Sequence, residues 1–352
     1  MMLALAFCLL LLPSTALRAQ AVDSIGGQPF TFAVGADLSF LKAAEDRGVQ
    51  FKDDGVVRPA LDIFKDHGYD WIRLRVFHAP TRLPNDLQYT IALAKEAKAR
   101  GYRFLLDYHY SDTWADPQHQ ITPTAWDTTD LQVLIDSVRN YTRDTFKAFQ
   151  DSGVTPDMVQ IGNEVRNGMM WPLGKLPDHW DNFMALYKAA LEGIDAARGT
   201  HPRPLLMVHY DNGANAPAAL RFFQRFSSYH LPYDVIGFSY YPWWHGNLLQ
   251  LRENLLSILQ HFPDKDVILA EVGYRPRVYE HPDSLAPYPE DAPGGPRKMF
   301  LESVTRTLLS ISDRRIKGIF WWEPATGCGS DFFDKDCNAR PVMDVFDHYR
   351  RN

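Results

Sequence analysis

Eight short runs rich in β-branched and aromatic residues, each followed by a longer amphipathic stretch, set the tightest limit on what this 352-residue chain can fold into. The runs fall at 32–36, 71–76, 104–109, 158–162, 205–209, 235–240, 267–270 and 316–322. Helical patterns follow at 59–67, 86–100, 130–149, 182–198, 216–226, 248–262, 296–311 and 344–350. Gly68, Gly101 and Gly153 stand where three of these helices should stop, each just ahead of the next strand. Strands joined by helical crossovers pair in parallel. Eight such units predict a closed (β/α)8 barrel, a fold that takes about 250 residues plus its loop insertions. The rival is an open, doubly wound α/β sheet. It would carry a Gly-rich phosphate turn after its first strand if it bound nucleotide, whereas here that strand runs into Gly35-Ala36-Asp37-Leu38-Ser39. No Pro/Ser-rich linker divides the chain, so residues 22–352 are expected to form one domain.

The first residues differ from the rest. Residues 1–12 are almost unbroken apolar sequence, followed by small residues at Ala16, Ala19 and Ala21. An apolar core ahead of a small-residue cleavage region is the layout of a secretory signal peptide, here residues 1–21. The run is shorter than the ~20 residues that cross a bilayer, so export without a membrane anchor is expected. A net charge of −6 with acids and bases interspersed argues against a nucleic-acid partner, which would call for clustered Lys and Arg. Cys8 leaves with the leader. Cys328 and Cys337 remain, and in an oxidising compartment they are expected to pair. A monomer is the expected state.

In such barrels the chemistry lies at the C-terminal ends of the strands. Those ends carry Asp37, Arg75, Asp107 with His109, Asn163 with Glu164, His209, Tyr240 with Tyr241, Glu271, and Trp321-Trp322-Glu323. Burying so many ionisable groups together costs several kcal/mol each unless they are paired, so the ring reads as a site rather than as structure. Glu164 and Glu271 end the fourth and seventh strands and suggest paired-carboxylate chemistry. Glycoside hydrolysis needs one carboxylic acid to protonate the leaving oxygen and one carboxylate facing the anomeric carbon. Asn163 can hold a ring hydroxyl. Trp114, Trp171, Trp243, Trp244, Trp321 and Trp322 fall on the same side of the strands, where aromatic faces could stack on pyranose rings.

The stretches His109-Tyr110-Ser111-Asp112-Thr113-Trp114-Ala115-Asp116-Pro117, Gly162-Asn163-Glu164, Met170-Trp171-Pro172-Leu173-Gly174, Ser239-Tyr240-Tyr241-Pro242-Trp243-Trp244 and Phe320-Trp321-Trp322-Glu323-Pro324-Ala325 resemble the endo-β-1,4-galactanases of glycoside hydrolase family 53. The resemblance runs from about Gly35 to Phe346. It implies a retaining (β/α)8 enzyme with Glu164 as acid/base and Glu271 as nucleophile. It also implies that Arg75, His109, Asn163, His209, Tyr240 and Trp322 line the subsite of the cleaved sugar; Asp37, Trp114 and Trp243 are further substrate contacts expected from their places at the strand ends and in the loops after them. The implied substrate is β-1,4-galactan, as in pectic arabinogalactan side chains, and no cofactor is required for catalysis. The chain departs from the family's pattern in the Pro-rich loop at 273–296, where Gly295 is followed by Pro296; this bears on distal subsites and product length.

Some bacterial members hold a structural calcium between the last two loops. Asp331, Asp334 and Asp336 are the acids here that could offer it oxygen ligands, although a few acids so close together also make an ordinary solvated turn. Two other functions stay open at this level: the same machinery acting on β-mannan or β-glucan, and a non-catalytic sugar-binding barrel. The latter would be expected to lose one of the two glutamates, and both are present.

Overall fold

The computed structural model of the protein describes residues 31–275 and 288–347, preceded by two strand pieces, Ser24–Ile25 and Gln28–Pro29, that pair antiparallel. The expected signal peptide at 1–21 lies outside the described residues. Eight strands close into one barrel: β1 (Ala33–Asp37), β2 (Trp71–Val76), β3 (Arg103–Tyr108), β4 (Met158–Ile161), β5 (Leu205–Tyr210), β6 (Val235–Tyr240), β7 (Asp266–Val272) and β8 (Ile316–Trp322). Each pairs in parallel with its sequence neighbours, and β8 closes onto β1. Seven crossover helices follow in turn: α1 (Ala60–Asp66), α2 (Leu87–Ala99), α3 (Leu131–Asp151), α4 (Trp180–Arg198), α5 (Ala216–Ser227), α6 (Leu248–His261) and α7 (Pro296–Leu309). Their ends fall within two residues of those expected from the sequence. The eighth expected helix, 344–350, begins as a 3-10 turn, Met343–Phe346, and its last residues lie outside the described ones. No helix among the described residues is long and apolar enough to cross a membrane.

The helices start where the sequence supplies acceptors for orphan N–H groups. The Asp86, Asp130, Asn215 and Asn247 side chains cap α2, α3, α5 and α6, the last in a capping box with Gln250. Alternation along the strands then sorts side chains into two cores. Ile72, Leu74 and Val76 of β2 face the helices. Ala33, Trp71, Leu105, Met158, Met207, Val235, Ile268 and Phe320 fill the barrel's interior. Gly35 makes room for that interior: a Cβ there would lie 2.2 Å from the Phe320 ring.

The inward residues of β2 climb the barrel axis in steps of two, from Trp71 in the apolar plug, to Arg73 in a buried polar layer, to Arg75 at the mouth. The other strands follow, with Leu105, Asp107 and His109 along β3, and Met158 and Gln160 along β4. Cys328 and Cys337 are joined by a disulfide that closes the loop after β8, with a Cα–Cα distance of 4.4 Å.

Candidate active site

A cleft of about 1000 Å³ opens at the C-terminal ends of the strands, and Glu164 and Glu271 both line it. Glu164 follows β4 with its backbone in the left-handed region, φ 49°, immediately before a one-turn 3-10 helix, Val165–Asn167. Backbone strain of this kind is kept where the surroundings over-determine it, as they do in active sites. Glu271 is turned inward by a bulge. Phe238 of β6 pairs with Leu269, but Ser239 pairs with Glu271, so Ala270 is an extra residue on β7. Ala270 then points into the barrel core, and Glu271 beside it also faces the axis instead of the helices.

The floor beneath the two glutamates is a buried polar layer centred on Arg73. Its guanidinium lies 2.7 Å from Asp37 Oδ2, 2.9 Å from Asp107 Oδ2, 2.8 Å from Glu271 Oε1 and 2.9 Å from Asn163 Oδ1. Gln160 links the same groups, donating to Asp107 Oδ1 at 2.6 Å and to Asn163 Oδ1 at 2.9 Å. Asn163 donates in turn to Ala115 O at 2.8 Å, which fixes its orientation. His109 accepts the Ala115 N–H at Nδ1, so its Nε2 carries the hydrogen and faces Asp107 Oδ2 at 3.0 Å. Arg75 pairs with Asp37 and Glu323, and its guanidinium lies between the rings of Phe40 and Trp114 at 5.1 and 4.5 Å.

The two glutamates have unlike surroundings. Burial, then the charges of Glu271 and Asp211, push the Glu164 carboxyl well above the usual carboxylate range. Burial also raises Glu271, but the Arg73 guanidinium and a 2.8 Å hydrogen bond from the Tyr241 hydroxyl favour its ionised form. When two carboxyl groups share a site, the one beside the cation gives up its proton first. Asp107 shows how strong that cation is: burial opposes ionisation, yet Arg73 and His109 hold it at about 2. Glu323 shows the reverse, since burial outweighs Arg75 and brings it to about 8. Asp211, at the end of β5 beside Arg166, is raised by burial to about 6.

The expected site residues divide. Arg75, His109, Trp114, Asn163, Trp243 and Trp322 join the glutamates around the cleft. Tyr240 does not. It is buried on the outer face of β6, with its hydroxyl donating to Gly246 O at 3.0 Å and its ring stacked on Phe300. Alternation turns Ser239 and Tyr241 inward in its place. Asp37 and His209 are fully buried in the polar floor and do not border the cleft. The cation beside Glu271 is Arg73, one inward step below the tip residue Arg75 on β2. Of the other tryptophans, Trp244 borders the cleft and is 45% exposed. Trp321 is buried against Phe300 and Phe332, and Trp171 packs under Lys175 in the loop after β4.

The acids of the last loop are engaged with the protein itself. Asp331 accepts from Arg297 Nε at 2.8 Å and from Trp321 Nε1 at 3.1 Å. Asp334 Oδ1 accepts the backbone N–H groups of Asp336 and Asn338, both at 2.9 Å. Among the described residues, Asp331, Asp334 and Asp336 do not converge as a set of ion ligands.

Known proteins are similar to this chain in sequence and in fold. The sequence profile of glycosyl hydrolase family 53 matches residues 33–346. An arabinogalactan endo-β-1,4-galactanase A from Aspergillus niger is 34% identical over 302 residues, covering 83% of this chain and 84% of the relative. A solved structure described as one of two fungal β-1,4-galactanases has a TM-score of 0.79 at 31% identity, covering 90% of this chain and 99% of that one. The family 53 catalytic domain of Ignisphaera aggregans gives 0.80 at 30% identity, over 93% and 99% of the two chains. The profile spans every strand of the barrel and both glutamates of its cleft, and the chain belongs to glycosyl hydrolase family 53.

Proposed function

We propose that this protein is an exported, retaining endo-β-1,4-galactanase that cleaves the β-1,4-galactan side chains of pectic arabinogalactan. The observation that carries the chemistry is the unlike pair of glutamates in one cleft. Glu164 favours its proton, and Glu271 is held by Arg73 and Tyr241. The substrate follows from the named relatives, and the aromatic rim of Trp114, Trp243, Trp244 and Trp322 suits pyranose faces. The leader at 1–21 and the closed disulfide support action outside the cytoplasm.

In the first half of the reaction, Glu164 gives its proton to the glycosidic oxygen while a Glu271 oxygen bonds to the anomeric carbon. The leaving sugar departs and a glycosyl ester remains. In the second half, water gives a proton to Glu164 and its oxygen attacks the same carbon. The ester bond breaks, Glu271 is freed, and the β configuration returns. Both halves run on two carboxyl groups, and the reading calls for no cofactor.

The test is hydrolysis of purified β-1,4-galactan, β-mannan and β-glucan, with the first-formed anomer followed by NMR. Galacto-oligosaccharides released first as the β anomer are expected. Preference for mannan or glucan would reassign the substrate, and an initial α anomer would overturn retention. Binding without cleavage of any polymer would make this a sugar-binding barrel.

A further inference from the structure

Arg73 can only donate hydrogen bonds, and this fixes a hydrogen three residues away. Its Nη2 lies 2.9 Å from the side chain of Asn163, so the atom facing it must be the amide oxygen, Oδ1. His209 Nδ1 lies 2.9 Å from the same oxygen and must therefore carry a hydrogen to donate. His209 is fully buried below Arg73, with Asp107 and His109 also near it, and burial together with Arg73 keeps the ring neutral. A neutral imidazole has one hydrogen. With that on Nδ1, Nε2 is a bare acceptor, 2.9 Å from Ser239 Oγ. Ser239 has a single hydrogen to give, and Nε2 claims it. Yet Ser239 Oγ also lies 2.6 Å from Glu164 Oε1. Two oxygens at that separation share a hydrogen: Ser239 donates it to an ionised Glu164 and so favours the anion, but while Nε2 holds the serine hydrogen Glu164 has to supply it.

We propose that His209 and Ser239 are positioning residues that keep the catalytic hydrogen on Glu164 in the resting enzyme. The inference rests on Glu164 being the acid of the proposed reaction. Glu271, Asp211, Asp116 and Tyr241 face Glu164 from the surrounding elements, and the three acids among them act in the same direction by repelling a second negative charge. The serine adds something these charges cannot, because its hydroxyl can turn. When Glu164 passes its proton to the leaving oxygen, the Ser239 hydrogen swings from His209 Nε2 to the new carboxylate. The anion is held by the same heavy atoms at the same distances. When water returns a proton to Glu164, the hydroxyl swings back. No bond other than those of the reaction is made or broken.

The first test needs no variant and no activity. Nitrogen-15 NMR of histidine-labelled protein near pH 6 should show His209 with hydrogen on Nδ1 and a bare Nε2; the opposite tautomer, or a doubly protonated ring, overturns the proposal. The second is His209→Leu, which offers no acceptor at all, assayed for kcat/KM against pH. Without the imidazole acceptor, Ser239 is free to donate to an ionised Glu164, so the alkaline limb should move down by about one pH unit, roughly a tenfold loss at a pH on that limb. A uniform loss at every pH would signal a merely structural role and would also overturn it. If the wild-type protein cleaved no β-glycan at all, the proposed function would fail while the tautomer would still be decided.

Discussion

Arg73 Nη1 lies 2.8 Å from Glu271 Oε1, although β2 and β7 are not neighbours in the barrel and meet only across its interior. One guanidinium therefore serves Glu271 while it neutralises Asp37 and Asp107. Arg73→Lys keeps the charge but loses the fork that reaches all three. A lost hydrogen bond to a charged group is worth about 1.5–3 kcal/mol, so kcat/KM should fall roughly 10- to 150-fold. Arg73→Met should destabilise the fold by about 3–5 kcal/mol by leaving buried acids unpaired. Urea unfolding separates the two effects: a Lys variant of full activity would show that Glu271 does not depend on this contact.

Tyr241→Phe removes the hydroxyl that donates to Glu271 Oε2 at 2.8 Å and little else. That bond favours the carboxylate, so its loss raises Glu271 further and should move the acid limb of kcat/KM to higher pH. A rate loss of about 10-fold or more at the optimum is expected, with the melting temperature close to that of the wild type. An unmoved acid limb would dissociate Tyr241 from the ionisation of Glu271.

The roles of the two glutamates can be told apart by leaving group. Glu164→Ala should still form the glycosyl intermediate from dinitrophenyl glycosides, whose leaving group needs no proton, and azide should restore turnover with a β-azide product. General acid–base assistance is worth about 10²–10⁴-fold, so on galactan the same variant should lose that much. Glu271→Ala should be inactive on both substrates. The reverse pattern would exchange the two assignments.

Four carboxyl groups around the cleft, those of Glu164, Glu271, Glu323 and Asp211, are raised in the folded protein. A raised group binds its proton more tightly folded than unfolded, so it stabilises fully below its unfolded value and loses that contribution as pH rises through its folded one. For Glu323 the window runs from the ordinary 4.5 up to about 8. Stability should thus decline across this range, by up to about 1.4 kcal/mol per pH unit for each proton involved. Glu323→Gln fixes the neutral form and should flatten the decline. Urea midpoints at pH 5 and pH 8 check this, and an unchanged slope would mean that Glu323 is ionised in the folded protein.

Reducing the Cys328–Cys337 disulfide reopens a loop whose ends are nine residues apart. The chain-entropy model gives such a loop roughly 2–3 kcal/mol at most. Melting should fall by several degrees in reductant. Ser330 and Asp331 of this loop border the cleft, so polymer hydrolysis should weaken as well. A melting curve indifferent to reductant would show that the hydrogen bonds of Asp331 and Asp334 hold the loop unaided.

The barrel was legible because alternating runs of eight strands and their helices leave few other ways to bury apolar surface, and the strand tips named Glu164 and Glu271. What lay one layer below the tips was not. Arg73 and Ser239 stand two residues before a tip residue and Gln160 three, and stepping inward by two from Arg75 or from Tyr241 would have found Arg73 and Ser239. The same step shows why Tyr240 misled: it is adjacent to an inward residue and so points out. The pairing of Glu271 with Arg73 was beyond reach of sequence, because it depends on how far strands on opposite walls project toward the axis.

The extra residue at Ala270 has a consequence for how such chains diverge. Ala270 and Glu271 both face the axis only because the pairing of β7 with β6 slips by one residue there, so a β7 of the same length in unbroken alternation would leave a glutamate in the alignment but aim it at the helices. The chemistry of this barrel is thus written partly in strand register. A homologue that keeps every catalytic letter but pairs β7 without that slip would be a pseudoenzyme that comparison by identity alone would miss.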